Sequence, residues 1–199
     1  MKKLFLYCLF LLILSCSSKI QVGDAPIADE SYIQASVQND PNQENVNIKD
    51  WTQNGYKIHA LARYELEAKV LSVKRYSFGR EADLSPVDFA LGWGPMSDAD
   101  NLSKIRISQS GRWYFWSTDH FPIPRDQIES HSANTHIIPA NRYIEMSLLK
   151  VSTGEVVRMR GYLVRVEGKD GWHWQSSLTR MDTGDGSCEL FWVEKIERN

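Results

Sequence analysis

Residues 56–73 read YKIHALARYELEAKVLSV, and two stretches of it, 56–62 and 64–73, alternate apolar with polar side chains. A period of two puts every other side chain on one face of an extended chain, so the pattern predicts strands lying half in and half out of a core. The same signal recurs downstream. Residues 103–117, SKIRISQSGRWYFWS, predict two strands joined at Gln109-Ser110-Gly111. Residues 155–166, EVVRMRGYLVRV, predict one long strand in which Gly161 marks a bulge or a sharp bend. The turn-rich run 167–171 leads into WHWQSSLT at 172–179, and CELFWVEKI at 188–196 is the last strand. One helix is expected after Asn141 as its N-cap, through RYIEMSLLKV, with Gly154 beyond its end. The fold class is therefore mainly β (α+β): one compact antiparallel barrel or two-layer sandwich with one or two short helices, an OB-like barrel being the first expectation for its topology.

Outward from this region the composition changes sharply. All seven tryptophans lie in residues 51–199, a span of normal size for one domain with its own core. That span carries nineteen acidic and nineteen basic side chains, whereas residues 19–50 carry six acids against Lys19 and Lys49. A formally neutral domain beside an acidic segment gives no electrostatic footprint for nucleic acid, which is excluded as a partner. Residues 17–50 are rich in Asn, Gln, Asp, Ser and Glu and contain neither Trp nor Phe. Such a stretch buries too little apolar surface to offset its ordering entropy and is expected to be a flexible tether, with a root-mean-square reach of roughly 30 Å.

The chain begins with the basic Met1-Lys2-Lys3, continues through an apolar run from Leu4 to Leu14 and reaches Ser15-Cys16-Ser17-Ser18, the order of an export signal. As a helix that run spans roughly 16 Å, about half of a bilayer's hydrocarbon core, too short to remain as an anchor. Ile13-Leu14-Ser15-Cys16 resembles the lipobox of bacterial lipoproteins, with Leu14 where a smaller residue is usual. The resemblance implies a signal peptide over 1–15, lipidation of Cys16, a tether over 16–50, the membrane as partner through acyl chains on Cys16, and a place in the cell envelope facing the periplasm or exterior. Two or more acyl chains give stable anchoring where one does not.

The chemical candidates are few. Asp182-Thr183-Gly184 has the residues of an aspartic-protease triplet, but Arg180-Met181 precede it and Asp185 follows, so turn chemistry accounts for it. Asp182, Asp185 and Glu189 lack the spacing of a calcium loop and read as a solvated acidic turn. No metal or cofactor is implied. Cys188 is the only cysteine outside the first sixteen residues; it is either a nucleophile, with His131, His136 or His173 as base, or a buried small apolar residue, and burial is the favoured reading because nothing beside it in sequence is basic. His131 and His136 stand five apart, without metal-ligand spacing, and read as hydrogen-bonding loop histidines. Residues 87–101, VDFALGWGPMSDADN, read as a structured loop whose Asp88 and Asp98 are potential acceptors for Arg180 or His136 across a cleft. Trp113 and Phe115 share one face of their strand and Tyr114 and Trp116 the other; Trp172 and Trp174 share a face opposite His173 and Gln175. With Trp93, the residues Trp113, Trp116, Trp172 and Trp174 are the candidate ligand-binding surface for a glycan or an envelope protein, with cross-strand packing as the plainer alternative.

FALGWGPMSD, RWYFW, GYLV and WHWQSSLTR together are similar to segments of small, uncharacterised bacterial envelope proteins over residues 56–193, a resemblance that implies no activity. The expected function is thus that of a membrane-anchored envelope lipoprotein serving as a binding or assembly module. The alternative is an envelope hydrolase using Cys188 or a cleft of His136, Arg180 and Asp182. The two separate on one feature: a module leaves Cys188 buried and without a polar partner, whereas an enzyme sets it in a concave site with a base in reach.

Overall fold

The computed structural model describes residues 22–23, 37–180 and 186–198. Its elements in chain order are β1 (Val22–Gly23), β2 (Asn42–Asn45), β3 (Trp51–Gln53), β4 (Tyr56–Arg75), α1 (Arg80–Leu84), β5 (Val87–Gly92), a 3-10 turn (Gly94–Ser97), α2 (Ala99–Leu102), β6 (Arg106–Ser110), β7 (Trp113–Ser117), α3 (Arg125–Ser130), β8 (Ser132–Pro139), α4 (Arg142–Leu148), β9 (Val156–Glu167), β10 (His173–Gln175) and β11 (Glu189–Arg198). Among the described residues no helix is long and apolar enough to cross a membrane.

The two alternating stretches at 56–73 form a single strand, β4, of 20 residues. It follows β3 through a hairpin whose turn residues, Asn54 and Gly55, both have positive φ, the geometry an Asn-Gly pair favours. Register shifts at Leu61 and Leu71 let β4 curl. Its residues 57–69 pair with β9 and its residues 69–75 with β5. From β5 the ladder runs to β8, then β11, then β9, and so returns to β4. The result is a closed five-stranded barrel in OB-like order, with α4 in the connection between β8 and β9. One pairing departs from the antiparallel expectation: β8 and β11 are parallel, because α4 and β9 carry the chain back across the barrel before β11 enters.

The barrel interior is filled by side chains such as Leu66, Val70, Phe89, Ile137, Met159 and Phe191. Side chains of opposite parity on the same strands are also covered. Ile138, Leu190 and Trp192 pack with Trp51 and Leu84 in a second cluster, against which Trp172 and Trp174 lie. Ala90 of β5 joins Met96, Ile105 and Ile128 in a third, under Tyr114 and Trp116 of the β6–β7 hairpin. Strands covered on both faces lose their alternation. This corrects two readings: residues 87–92 are not part of a loop but a strand with all six residues buried, and 132–139 are a strand rather than a histidine-bearing loop. The helix content is also higher than expected, with four short α-helices among the described residues. The helix after Asn141 starts as read, its N-cap side chain accepting from Ile144 N at 3.0 Å, but ends at Leu148, short of Val151.

The expected tether over 16–50 is not uniformly unstructured. β2 pairs with β4 over Asn42–Asn45, β1 pairs with β3, and Trp93 donates to Asp40 at 3.0 Å. Main-chain ladder bonds along the edge of β4 need no apolar side chains, which is why composition missed them. The leader, Cys16 and Asp182 lie outside the described residues.

Gly161 sits where β9 faces an irregularity in β11 between Val193 and Lys195, so the bulge is on the strand opposite the glycine. A Cβ at position 161 would lie 1.9 Å from Trp192 O, a clash with backbone that no side-chain rotation relieves. Gly161→Ala should therefore lower stability by about 1–3 kcal/mol or more, read as a fall in the denaturant midpoint.

Candidate functional site

Three adjacent barrel strands bring together residues far apart in sequence. Asp88 of β5 is the antiparallel partner of His136 on β8, and Leu190 of β11 is the parallel partner of His136 on its other side. Cys188 precedes β11 by one residue and, two positions from Leu190, sits beside Asn134 and His136. Asn134 Nδ2 lies 3.6 Å from Cys188 Sγ, and the thiol and the His136 imidazole line the same cavity.

Behind the imidazole is a buried charge cluster. Asp88 is fully buried; its Oδ2 lies 3.0 Å from His136 Nδ1 and its Oδ1 accepts from Arg112 Nη1 at 2.7 Å. The Nδ1 and Oδ2 atoms are close but out of line for a straight hydrogen bond, so their contact is an ion pair before it is a directional bond. Arg112 also donates to Ser85 O at 2.9 Å and stacks 3.6 Å over the Tyr76 ring. It occupies the turn of the β6–β7 hairpin beside Gly111, with φ of 69°, a left-handed conformation uncommon for arginine. That turn directs the guanidinium inward, onto the buried Asp88 carboxylate. The His136 ring packs 4.8 Å from Trp174.

Burial of His136 works against its charged form, but the adjoining Asp88 carboxylate and Cys188 sulfur outweigh it. The imidazole pKa rises from 6.5 to about 9. His136 is therefore cationic at neutral pH.

Cys188 is partly exposed and lies where two cavities meet. One, of about 290 Å3, is lined by His136, Trp174, Gln175 and Arg112. The other, of about 230 Å3, is lined by Tyr114, Trp116, Asn134, Arg180 and Glu189. Trp113 borders both. The expectation of a buried thiol is thus corrected: Cys188 is partly exposed, and parallel pairing brings a basic side chain, His136, from a distant segment where the neighbouring sequence has none.

The other candidates are placed unevenly. Arg180 reaches the second cavity, but its guanidinium is held by Glu189 and by Gln43 Oε1 at 2.8 Å, so it does not join His136. Glu189, read as part of an acidic turn, is buried under that pairing. Trp93 is 1% exposed and offers no binding face, which corrects its place among the ligand-binding candidates. Trp113 is 38% exposed, while Trp116, Trp172 and Trp174 are half-buried against the outer clusters. Asp98 caps α2, accepting from Asp100 N and Asn101 N, whereas Asp88 does meet His136. His131 is the C-cap residue of α3, and its Nδ1 donates to Gln127 O at 3.0 Å. Sequence reasoning missed Arg112 and Asn134; Arg112 carried a signal, as the residue following Gly111 in a predicted hairpin turn. Among the described residues no group of three or more His, Cys, Asp or Glu is arranged to hold a metal ion.

Because the folded-state pKa of His136 lies above 6.5, its protonation stabilises the fold. That contribution is complete below about pH 6.5 and is lost as the pH rises through about 9. Unfolding midpoints measured from pH 6 to pH 10 should fall across this window, and His136→Gln should flatten that part of the profile. No family model matches the chain, and neither a curated protein nor a solved structure is found to match it.

Proposed function

We propose that this protein is an envelope hydrolase in which Cys188 is the nucleophile, His136 its base and Asp88 the carboxylate that orients and charges the imidazole, and that the chain is held at a membrane through acyl groups on Cys16. One observation carries the enzymatic reading: a partly exposed thiol, at the junction of two cavities, shares one of them with an imidazole that has a buried carboxylate behind it. A binding or assembly module would have no use for that arrangement and would leave the thiol buried. The lipoprotein part of the proposal rests on Ser15-Cys16 at the end of the apolar leader.

The chemistry follows from the geometry. With Nδ1 facing Asp88, Nε2 is the ring nitrogen available to the thiol. The thiolate attacks an acyl carbon, and the carbonyl oxygen becomes an oxyanion next to the sulfur. Asn134 Nδ2, 3.6 Å from Sγ, is the side-chain donor positioned to receive that charge. The imidazolium then gives its proton to the leaving amine or alcohol as its bond to the acyl carbon breaks, and a thioester remains. Water, losing a proton to His136, attacks the thioester, releasing the acid and restoring the thiolate and the imidazolium. Amide and ester bonds both fit this sequence. Arg112 contributes at one remove, neutralising Asp88 Oδ1 and holding the hairpin against the site.

Two experiments test the two parts. Iodoacetamide should alkylate Cys188 in the folded protein, and hydrolysis of p-nitrophenyl acetate should fall by roughly a thousandfold or more in Cys188→Ala. Protection of the thiol until denaturation, or ester turnover unchanged in Cys188→Ala, would remove the nucleophile. Cys16→Ser should yield a protein that leaves membranes without detergent; retention of the variant in the membrane fraction would remove the acyl anchor.

A further inference from the structure

The 230 Å3 cavity beside Cys188 is bounded in an unusual way. Its lining includes Trp113, Tyr114 and Trp116 of β7, and Ser132, Ala133 and Asn134 of β8. Side chains alternate between the faces of a strand, so a cavity that touches consecutive residues lies along the strand's edge and not over one of its faces. Among the described residues both edges are open there: β7 pairs only with β6, in a two-stranded sheet, and β11 pairs with β8 from Thr135 onward, leaving Ser132–Asn134 without a ladder partner on that side.

The register gives the free groups on β7. A two-residue turn at Gly111-Arg112 makes Ser110 and Trp113 a hydrogen-bonded pair. The pattern then alternates, so the pairs Gln109–Tyr114 and Ile107–Trp116 are the ones whose main-chain groups do not bond across the hairpin. The N–H and C=O of Tyr114 and Trp116 therefore point off the outer edge of β7. These two residues are among those that line the cavity. The floor is rigid: Tyr114 OH and Ser132 Oγ meet at 2.9 Å, and Asn134 Nδ2 donates to Arg112 O at 3.0 Å. At the end of the slot is Cys188, with the second cavity continuing past it on the His136 side.

We infer that the substrate is a peptide in extended conformation, which adds as a strand to the free edge of β7 along Tyr114–Trp116 and so lays one of its own carbonyl groups over Cys188. This rests on the proposed nucleophile for the chemistry but not for the binding. Main-chain bonds supply affinity in such strand addition, and the flanking cavities supply side-chain preference. The slot is walled by Trp113, Tyr114 and Trp116, which suits a large apolar or aromatic residue next to the bond that breaks. A glycan has no alternating N–H and C=O row to match the edge.

The test separates binding from chemistry. Cys188→Ala, which cannot turn over substrate by this mechanism, is mixed with a library of capped hexapeptides of random sequence at millimolar total concentration, and amide hydrogen exchange is followed. Tyr114 and Trp116 amides should exchange at least about tenfold more slowly with peptide, and chitohexaose at the same concentration should leave them unchanged. Unchanged exchange at both amides with peptide, or equal protection by chitohexaose, would overturn the peptide assignment. Failure of the nucleophile would show instead as unaltered ester turnover in Cys188→Ala, with the peptide protection intact.

Discussion

Everything in this molecule depends on one strand pairing along both of its edges. β4 bonds to β9 through residues 57–69 and to β5 through residues 69–75, and only a bulged, curling strand of 20 residues can do both. Closure gives each of the five barrel strands a neighbour on both sides and places β11 in the gap between β8 and β9, starting only at Thr135 of β8. Because β11 enters that gap parallel to β8, its first residues arrive next to Asn134 and His136. The thiol and the imidazole are neighbours as a consequence of ladder topology, with no loop needed to fold one onto the other.

The barrel wall carries side chains on both faces, and the site lies on the outer one. Two outer clusters flank it: Trp172 and Trp174 on one side, the β6–β7 hairpin on the other. The seam between them is where Cys188 meets solvent. A carboxylate as deeply buried as Asp88 is costly unless paired, and it is paired twice, to a guanidinium through Oδ1 and to an imidazole through Oδ2. Each partner comes from a different layer, Arg112 from the hairpin and His136 from the barrel. The cluster thus ties the hairpin to the wall while it sets the charge state of the imidazole.

What could be read beforehand followed from burial on one side only. The alternation at 56–73, 103–117 and 155–166 marked real strands, and Gly161 and Asn141 marked a bulge site and a helix start, since each is a local steric or hydrogen-bonding requirement. Asn54-Gly55 carried an equally local hairpin signal that went unread. Where a strand is buried on both faces the alternation vanishes, and VDFALG and SANTHIIP passed for loops. The site was legible as an inventory: Cys188, His136, Asp88 and Arg180 were all singled out. Their grouping was not, and Arg180 proved to belong with Glu189 instead.

By itself the sequence determined the β-rich class, the boundaries of several strands and the supply of reactive side chains, because period, turn chemistry and composition act over a few residues. Tertiary structure alone decided which of those side chains meet. Cys188 and His136 are 52 positions apart and Asp88 a further 48, and their juxtaposition comes from hydrogen-bond register between strands, a long-range quantity that no local pattern encodes.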